Sequence, residues 1–263
     1  MNRTRIVLAA LAAVILIAAG CHHRPRNYRP VVNPEFVALT KEQLFDRGEQ
    51  WYAKKRWAKA RGYYQYVYET YPNDPLGRRS LLRIADTYFM QGDPVNLVEA
   101  QYKYRDFINR YPGTESGDYA MLQIAMVSFK QMERPDRDQA KTREAVEKLQ
   151  DMIRAYPRSS YRPDAEKRLA ATFDRLAGHE FVVAKFYMKR RVYLAAVQRL
   201  NYLIDTYPAY SNKAAAFFDL AESLDHLGRR GEARLYYERV ISEFPKSEYA
   251  DRAKHKLGES KAA

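Results

Sequence analysis

The sequence has few of the residues that cross-link or interrupt a folded chain. Among its 263 residues there is one cysteine, Cys21, so no disulfide bond can form within the chain. Glycine occurs 11 times and proline 12 times, which argues against a chain that is disordered over most of its length. Apolar residues make up 46% of the composition, enough to bury a core in one or two domains or in one elongated repeat structure.

Residue patterns that carry catalysis are also missing. The sequence has no Gly-x-Ser-x-Gly motif and no glycine-rich loop of the kind that holds a phosphate group. The histidines are not spaced as metal ligands on a helix; they are His22, His23, His179, His226 and His255. We therefore predict no catalytic residue, no metal site and no enzymatic activity.

Acidic residues are too few to balance the basic ones. There are 45 lysines and arginines against 32 aspartates and glutamates, which gives a formal net charge of +13. Such an excess fits three kinds of partner, namely nucleic acid, an anionic lipid surface or an acidic protein. The destination of the chain decides among these partners, and the N-terminus indicates that destination.

The first 21 residues have the organisation of an export signal. Arg3 and Arg5 precede a continuous apolar run over residues 6–19, which is shorter than the ~20 residues that a membrane-spanning helix needs. The run ends in Ala-Ala-Gly-Cys at residues 18–21, and this ending resembles a bacterial lipobox. The resemblance implies that residues 1–20 are removed and that Cys21 carries S-diacylglycerol and N-acyl (palmitate) groups. An ordinary secretory signal with an incidental cysteine is the alternative.

Residues 21–39 are predicted to form the acylated cysteine and an extended linker, because residues 24–33 contain two prolines and three arginines without apolar periodicity. An acylated sulfur is a poor ligand, so Cys21, His22 and His23 are not interpreted as a metal site. By resemblance to sorted lipoproteins, His22 after the cysteine implies the outer membrane. Export also removes nucleic acid from the expected partners.

An aromatic residue followed by proline recurs five times along the rest of the chain. The spacings between the prolines are 40, 45, 51 and 37 residues, and each pair follows an amphipathic stretch. Proline ends a helix and lets the chain turn, so each pair marks the end of a repeat. The pairs are Tyr71-Pro72, Tyr111-Pro112, Tyr156-Pro157, Tyr207-Pro208 and Phe244-Pro245.

A fixed frame precedes each of these prolines, with alanine twelve residues before it, a bulky residue eight before it and an apolar residue five before it. The frame residues are Ala60, Tyr64 and Val67; Ala100, Tyr104 and Phe107; Ala145, Leu149 and Met152; Ala196, Leu200 and Leu203; and Ala233, Tyr237 and Val240. The frame resembles the tetratricopeptide repeat, in which small residues let two helices approach closely. We predict an all-α solenoid of about five helix pairs plus a C-terminal capping helix over residues 40–258, with a tail at 259–263.

Two segments depart from the regular repeat. Residues 161–190 predict one long helix with Gly178 as a point of bending, and residues 247–257 predict the polar cap that an open solenoid end needs. The basic run Lys189–Arg191 lies where the long helix ends. It is either a docking patch or a set of cations placed favourably at a helix C-terminus.

Tyrosine is unusually frequent, with 22 copies, and several lie close together on one predicted helix. Tyr64 holds a frame position and is expected in the core. Tyr63, Tyr66, Tyr68 and Tyr71 are candidates for an exposed aromatic strip, because tyrosine combines an apolar ring with a polar tip that suits interfaces. Such a strip would bind an extended peptide rich in aromatic residues; ordinary packing is the alternative.

From residue 136 to 208 the sequence is similar to the BamD family, the tetratricopeptide lipoproteins of the outer-membrane β-barrel assembly machinery. The lipobox, the repeat count and the long helix agree with this family, whereas the first two repeats match only as generic tetratricopeptides. The motifs that carry the resemblance are Tyr156–Tyr161, Lys167–Leu169, Asp174–Ala177, Val183-Ala184 with Tyr187, and Ala196–Arg199.

The resemblance implies two functional halves. Residues 136–258 would dock on the periplasmic POTRA domains of the barrel-forming assembly protein through Arg199, Tyr187 and Arg190, with the arginine at position 199 meeting an acidic POTRA residue. Residues 40–135 would face unfolded outer-membrane proteins and their aromatic C-terminal signal. Other assembly lipoproteins are implied as further partners, at the periplasmic face of the outer membrane.

A periplasmic tetratricopeptide scaffold of the cell-envelope, peptidoglycan or division machinery is the competing interpretation. Such scaffolds also contain Tyr-Pro-x-Ser motifs, which the segment Phe244–Ser247 resembles. They generally lack a lipobox and the long helix of the fourth repeat. The identity of the bound partner separates the two interpretations.

Overall fold

The computed structural model describes residues 34–262, with side chains up to Gly258, and this part of the chain contains helices but no strand. The helices are α1 (Pro34–Ala38), α2 (Lys41–Ala53), α3 (Trp57–Thr70), α4 (Pro75–Gln91), α5 (Pro94–Arg110), α6 (Gly117–Lys130), α7 (Ala140–Ala155), α8 (Arg162–Lys189), α9 (Tyr193–Thr206), α10 (Lys213–His226), α11 (Arg230–Glu243) and α12 (Glu248–Ala262). The chain divides into two compact units, one ending at Thr40 and one beginning at Lys41. Helix α1 belongs to the first unit, and α2 to α12 form the second.

Within the second unit, each helix packs against the next one along the chain. Five helix pairs result, namely α2/α3, α4/α5, α6/α7, α8/α9 and α10/α11. Helix α2 also contacts α4, and α12 contacts both α10 and α11. The predicted all-α repeat fold of five helix pairs and a terminal helix is therefore confirmed.

The packing frame predicted from the sequence forms the core of every repeat. All fifteen frame residues are buried, with exposed fractions of 0 to 3%. The alanines allow the two helices of a pair to approach, and the bulky residues after them fill the space between neighbouring helices. Since no single pair could bury both sides of its apolar surface, neighbouring helices bury it together, in four hydrophobic clusters of the second unit.

The aromatic residue of each aromatic–proline pair ends the second helix of its repeat. Its backbone N–H donates to the carbonyl oxygen of the third frame residue, four positions earlier, at 2.9 to 3.0 Å in all five repeats. Proline then follows at the first position where no helical hydrogen bond is needed. The sequence motif therefore corresponds to a repeated helix C-terminus.

Glycine at position 48 brings the first two helices of the second unit very close. A Cβ atom at Gly48 would lie 2.5 Å from the ring of Tyr64, which is fully buried. The ring of Phe45 lies 5.4 Å from that of Tyr64, in a tilted arrangement. Glycine is therefore required here by space, because the Tyr64 ring occupies the place of a side chain.

The third repeat contains a long connection that packs against the long helix of the fourth. Residues 131–139 join α6 to α7, and the Gln139 side-chain amide donates to the carbonyl oxygens of Arg134 and Arg137 at 2.8 and 3.0 Å. A Cβ at Gly178 would lie 3.3 Å from Pro135 of this connection. Helix α8 continues through Gly178, so the glycine provides room for the loop rather than an end to the helix.

The C-terminal helix is longer than predicted, because it runs from Glu248 to Ala262 instead of ending near residue 257. Ala250 and Ala253 are buried against the core of the last two repeats. No helix among residues 34–262 is both long enough and apolar enough to cross a membrane.

Candidate functional site

A cleft of about 290 Å³ opens between the first helices of the second, third and fourth repeats. Its lining residues are Arg79, Leu82, Arg83, Asp86, Glu115, Ser116, Asp118, Tyr119 and Tyr161. The four from α4 follow the i, i+3, i+4, i+7 spacing, so they share one face of that helix. The cap of α4 fixes their register, because the Asp74 carboxylate accepts a hydrogen bond from the N–H of Leu76 at 2.9 Å.

A chain of charged hydrogen bonds forms the floor of this cleft. Arg83 donates from Nε and Nη2 to the two carboxylate oxygens of Glu49 at 2.7 and 2.6 Å. Its Nη1 also lies 3.3 Å from Asp86 Oδ2. The hydroxyl groups of Tyr104 and Tyr119 each donate to Asp86 Oδ1 at 2.7 Å. Side chains from four helices of the first three repeats are therefore held in one arrangement.

Burial controls the protonation of this floor. Burial raises the pKa of Asp86, whose exposed fraction is 4%, although the hydrogen bonds from Tyr104 and Tyr119 and the charge of Arg83 act in the opposite direction. Burial and the charge of Asp86 raise the pKa of Tyr119. Burial disfavours the charge of Arg83, but its hydrogen bonds to Glu49 and the charges of Glu49 and Asp86 together outweigh burial and raise its pKa. The tyrosine hydroxyls and the guanidinium therefore remain hydrogen-bond donors at neutral pH.

Arg79 differs from Arg83 because its charge is not engaged by an acid. Its guanidinium lies 4.8 Å from the ring centroid of Phe45. Among the described residues, no carboxylate oxygen lies within 4 Å of its nitrogens. The rings of Tyr119 and Tyr161, 5.7 Å apart, belong to the same cleft. The cleft thus combines a guanidinium that has no ion-pair partner among the described residues with two aromatic rings, and the carboxylates of Glu115 and Asp118 belong to the same lining.

The tyrosines predicted to form an exposed strip do not line this cleft. The prediction that Tyr63 is exposed was wrong, because its exposed fraction is 8% and its position on α3 faces the packed side of the helix. Tyr66 and Tyr68 are partly buried, while Tyr71 is 40% exposed with the Lys41 ammonium 5.8 Å from its ring. Tyr64 lies in the core as expected.

Sequence reasoning missed the cleft residues because it searched the wrong helix of the repeat. The four candidate tyrosines lie on or at the end of α3, the second helix of its pair, whereas the cleft is lined mainly by α4 and α6, the first helices of theirs. The repeat frame contained the necessary signal, since it identifies which helix of each pair comes first. The i, i+3, i+4, i+7 pattern of α4 could then have been recognised.

Arg199, predicted as a partner-binding residue, lies on the surface of α9. Its Nη1 is 3.1 Å from the carboxylate of Glu180 on α8. The side chain of Arg199 is 47% exposed, whereas that of Glu180 is only 14% exposed. An external carboxylate therefore meets an accessible guanidinium that already has one acidic neighbour.

The other two predicted docking residues lie at the C-terminal end of α8. Arg190 is exposed, and its guanidinium lies 4.6 Å from the ring centroid of Phe186. Tyr187 is partly buried, with its ring 5.6 Å from that of Phe186. Phe186 itself is 51% exposed, a large apolar side chain that the prediction did not include. The end of α8 thus presents aromatic and cationic groups together.

Cys21 lies outside the described residues, so its predicted acylation stays a prediction. Among the described residues, no group of three or more histidine, cysteine or acidic side chains is arranged to hold a metal ion. The described residues define a class of protein: a tetratricopeptide-type helical solenoid with a charged, aromatic cleft formed by its early repeats.

The family of this chain follows from its similarity to known proteins. Residues 37–236 match the family YfiO, described as outer membrane lipoprotein, and the chain belongs to this family. The outer membrane protein assembly factor BamD of Caulobacter vibrioides is 30% identical over 226 residues, covering 85% of this chain and 72% of the relative. BamD of Rickettsia prowazekii is 25% identical over 249 residues, covering 95% of both chains. The family resemblance stated from the sequence is confirmed.

Among solved structures, the TPR2AB domain of yeast Sti1 in complex with an Hsp90 peptide is 16% identical. It covers 84% of this chain and 86% of that chain, with a TM-score of 0.41. The fold class therefore rests on the helix pairs and the buried frame described above.

Proposed function

We propose that this protein is a lipid-anchored, non-enzymatic assembly factor for outer-membrane β-barrel proteins. Its membership of the outer membrane lipoprotein family and the names of its BamD relatives support this proposal. The observation that carries it is the cleft of the early repeats, with its unpaired Arg79 beside Tyr119 and Tyr161. In this role the first half of the solenoid receives unfolded substrate, and the second half holds the barrel-forming partner.

The cleft has the chemistry needed for an aromatic residue at the end of a chain. Leu82, Tyr119 and Tyr161 offer apolar and aromatic surface for the terminal ring. Arg79 offers a guanidinium that can bind the terminal carboxylate through two parallel hydrogen bonds. Arg83 is less suited to this task, because Glu49 already occupies its fork. The substrate is therefore proposed to enter with its aromatic C-terminus first.

Peptide binding tests the cleft. A short peptide ending in phenylalanine is titrated against the protein with either a free carboxylate or a terminal amide. A hydrogen bond to a charged group contributes about 1.5–3 kcal/mol, so we expect Arg79→Gln to weaken carboxylate binding by about 10- to 100-fold. The original protein should bind the amide peptide about as weakly as Arg79→Gln binds the carboxylate peptide. Arg79→Gln should bind the amide peptide with little further loss, because both changes remove the same interaction.

The neighbouring arginine provides a matched control. Arg78 lies next to Arg79 but does not line the cleft; its guanidinium is 5.9 Å from the ring centroid of Tyr111. Arg78→Gln removes the same charge and should leave the affinity for the peptide nearly unchanged. Equal binding of the carboxylate and amide peptides by the original protein, or equal losses in the two variants, would contradict the proposed role of the cleft.

The docking half is proposed to use Arg199, Tyr187 and Arg190. An acidic residue of a POTRA domain would compete with Glu180 for the accessible guanidinium of Arg199. The exposed Phe186, stacked with Arg190, would supply apolar contact area. Since the fully desolvated part of an interface dominates its affinity, we expect Phe186 and Tyr187 to contribute more to binding than the surface ion pair.

A photo-crosslinker at Gln198, an exposed neighbour of Arg199, identifies the partner in living cells. Capture of a POTRA-bearing barrel protein supports the proposal, and the additional change Arg199→Gln should then reduce its yield. Capture of a peptidoglycan-linked or division protein instead would favour the envelope-scaffold alternative. A crosslinker at the exposed Val95 on α5 is the control, because it lies in the other half of the solenoid.

The anchor is proposed to be S-diacylglycerol and an N-acyl group on Cys21, which place the protein on the periplasmic face of the outer membrane. Stable attachment needs more than one acyl chain, because each buried methylene contributes only ~0.8 kcal/mol. The intact mass of the protein purified from membranes gives the number of acyl chains. Cys21→Ser should release the chain from the membrane fraction; a fully membrane-bound variant without its partners would contradict the anchor.

A further inference from the structure

The turn between α2 and α3 carries three consecutive basic residues, and its backbone is arranged for a glycine. The N–H of Lys55 donates to the carbonyl of Tyr52, and that of Arg56 donates to the carbonyl of Trp51, both at 2.9 Å. This is a Schellman motif, in which the residue between helix and exit takes a left-handed conformation. Lys55 has this conformation, with φ of 57°. At the equivalent turn of the fifth repeat, Gly228 stands there. A basic residue thus occupies a position that glycine would fill with less strain.

Both tryptophans of the sequence lie beside this turn. Trp51 and Trp57 line a cleft of about 460 Å³ together with Arg56 and Lys59. The ammonium groups of Lys59 and Lys54 lie 4.4 and 5.1 Å from the ring of Trp51. Both tryptophans are only partly buried. The six residues Trp51, Lys54, Lys55, Arg56, Trp57 and Lys59 are called the basic–tryptophan surface below.

The cations of the basic–tryptophan surface lack acidic partners. Among the described residues, no carboxylate oxygen lies within 4 Å of Lys54, Lys55, Arg56 or Lys59. Elsewhere in the same range most helices pair their lysines and arginines with a nearby acid, for example Arg229 with Glu232 at 2.6 Å. Four positive charges therefore lie close together where α2 meets α3, with no acidic side chain paired to them. They create a positive electrostatic potential that attracts an anionic binding partner.

We propose that the basic–tryptophan surface contacts the headgroups of anionic phospholipids. Lysine and arginine are attracted to an anionic lipid surface, and each one near it strengthens binding roughly fivefold. Tryptophan favours the boundary between headgroups and acyl chains, because its ring is apolar and its indole N–H is polar. An acidic protein partner would need the charge alone, whereas the pairing of cations with both tryptophans matches the two layers of a membrane interface.

The tether makes this contact possible, and in this respect the inference rests on the proposed acylation of Cys21. Nineteen residues separate Cys21 from Lys41, where α2 begins. A fully extended chain of that length spans at most about 70 Å, so the first repeat is confined near the bilayer. Contact through the basic–tryptophan surface would fix the orientation of the solenoid, which a single attachment point at Cys21 leaves open.

The two tryptophans also provide the measurement, because they are the only ones in the sequence. The acylated full-length protein is reconstituted in vesicles whose lipids carry bromine on the acyl chains, which quenches nearby tryptophans. We expect quenching in vesicles containing phosphatidylglycerol and little quenching in pure phosphatidylcholine, where the anchor is still inserted. Raising the salt concentration to about 1 M shortens the Debye length to about 3 Å and should abolish the difference.

A triple variant and a charge-matched control distinguish binding through the basic–tryptophan surface from attraction of the whole positively charged protein to anionic lipid. Lys54→Gln, Arg56→Gln and Lys59→Gln together should weaken the contact by on the order of a hundredfold. Arg158→Gln, Lys246→Gln and Lys254→Gln remove the same charge from exposed positions elsewhere and should leave the quenching unchanged. Ratios between brominated and ordinary lipid cancel the direct effect of each substitution on the fluorescence.

Equal quenching in neutral and anionic vesicles, no quenching in either, or equal losses in the two triple variants would overturn the proposal. The intact mass, recorded first, separates this result from a failure of the proposed anchor. If Cys21 proves unmodified, the anchor is wrong, and flotation of the unmodified protein with vesicles that contain or lack phosphatidylglycerol tests the surface independently. Flotation that does not depend on phosphatidylglycerol would then count against it.

Discussion

Two ion pairs join neighbouring repeats at the same place in the frame, but with opposite polarity. In the N-terminal region, Glu49 on α2 binds Arg83 on α4 at 2.6 Å. In the C-terminal region, Lys185 on α8 binds Asp219 on α10 at 3.0 Å. Each first helix also has a small residue, and the four concerned here are Gly48, Ala85, Ala184 and Ala221. Glu49 and Lys185 directly follow the small residue of their helix, whereas Arg83 and Asp219 precede theirs by two positions. The repeat thus determines where the first helices of neighbouring repeats meet, but it does not determine which helix carries the acid and which the base.

The surroundings of the two pairs differ more than the pairs themselves. Arg83 is bound by both oxygens of Glu49 and continues into the network of Asp86 and its two tyrosines. Lys185 also lies close to both carboxylate oxygens of its partner, at 3.2 and 3.0 Å, but more than half of its side chain is exposed. The N-terminal cleft is therefore built on a rigid polar floor, which suits a defined peptide terminus. Opening the C-terminal pair returns Lys185 to water but leaves the buried carboxylate of Asp219 without its partner.

The largest expected effect comes from removing the acid at the centre of the N-terminal network. Asp86→Ala leaves Tyr104, Tyr119 and Arg83 without their shared acceptor, so we expect a loss of about 3 kcal/mol in the free energy of unfolding. Asp219→Ala should cost roughly 1–2 kcal/mol, because its partner is half-exposed. Urea unfolding of both variants measures the difference. Equal losses would mean that the network adds nothing beyond one ion pair.

The second-largest expected effect concerns the close contact between the two helices of the first repeat. Gly48 lies twelve residues before the frame alanine Ala60, as Ala221 lies twelve before Ala233 in the fifth repeat. A methyl group at Gly48 would meet the buried Tyr64 ring at 2.5 Å. Overpacking of this kind costs about 1–3 kcal/mol, so Gly48→Ala should lower the thermal midpoint. The control is Gly231→Ala, since nothing lies within 4 Å of a Cβ at this helical position. That variant should be slightly more stable, and a loss there equal to that of Gly48→Ala would contradict the close approach.

The features that the sequence predicted well are those set by local spacing. Buried alanines, bulky residues and aromatic–proline pairs recur at fixed distances, because each repeat solves the same packing problem. The long helix of the fourth repeat was also predicted, and it continues through Gly178. Even the extension of the last helix past residue 257 changes only a boundary.

The candidate site was predicted less well, because it depends on residues that are distant in the sequence. Glu49 and Arg83 are 34 positions apart, and Asp86 and Tyr119 are 33 apart. No short sequence motif therefore predicts these contacts. Tyr63 failed as an exposed residue because crowded tyrosines on one helix cannot all face outward. The charge of Arg199 was identified, but its contact with Glu180 on the neighbouring helix became visible only in the fold.

A smaller effect concerns the pH dependence of the C-terminal pair. Burial raises the pKa of Asp219 above the ordinary value of 3.8, and the bond to Lys185 offsets this only in part. A raised folded-state pKa contributes stability that is fully present below 3.8 and is lost as the pH rises through the folded-state pKa. The free energy of unfolding, relative to that of Asp219→Asn, should therefore increase as the pH falls from neutral toward 3.8.

Urea unfolding at a series of pH values measures this difference. Lys185→Gln removes the partner that lowers the pKa of Asp219, so it should enlarge the pH dependence. A difference between the original protein and Asp219→Asn that is constant or decreases toward low pH would show that the folded carboxyl is not held above its ordinary pKa.

The smallest expected effect concerns the turns that contain Lys55 and Gly228, where the backbone favours glycine but the first repeat has a lysine. Lys55 is held at φ of 57° in the first repeat, whereas Gly228 has φ of 75° at the equivalent turn of the fifth. Relief of left-handed strain, less the greater entropy loss of glycine, should make Lys55→Gly more stable by roughly 0.5 kcal/mol. Gly228→Lys should be less stable by a similar amount. If Lys55→Gly gains stability but weakens the quenching by anionic lipid, the lysine is retained for its charge against the preference of the backbone. Unchanged quenching would mean that the strain at Lys55 serves no role in lipid binding, and that the other basic residues of the surface attract the lipid.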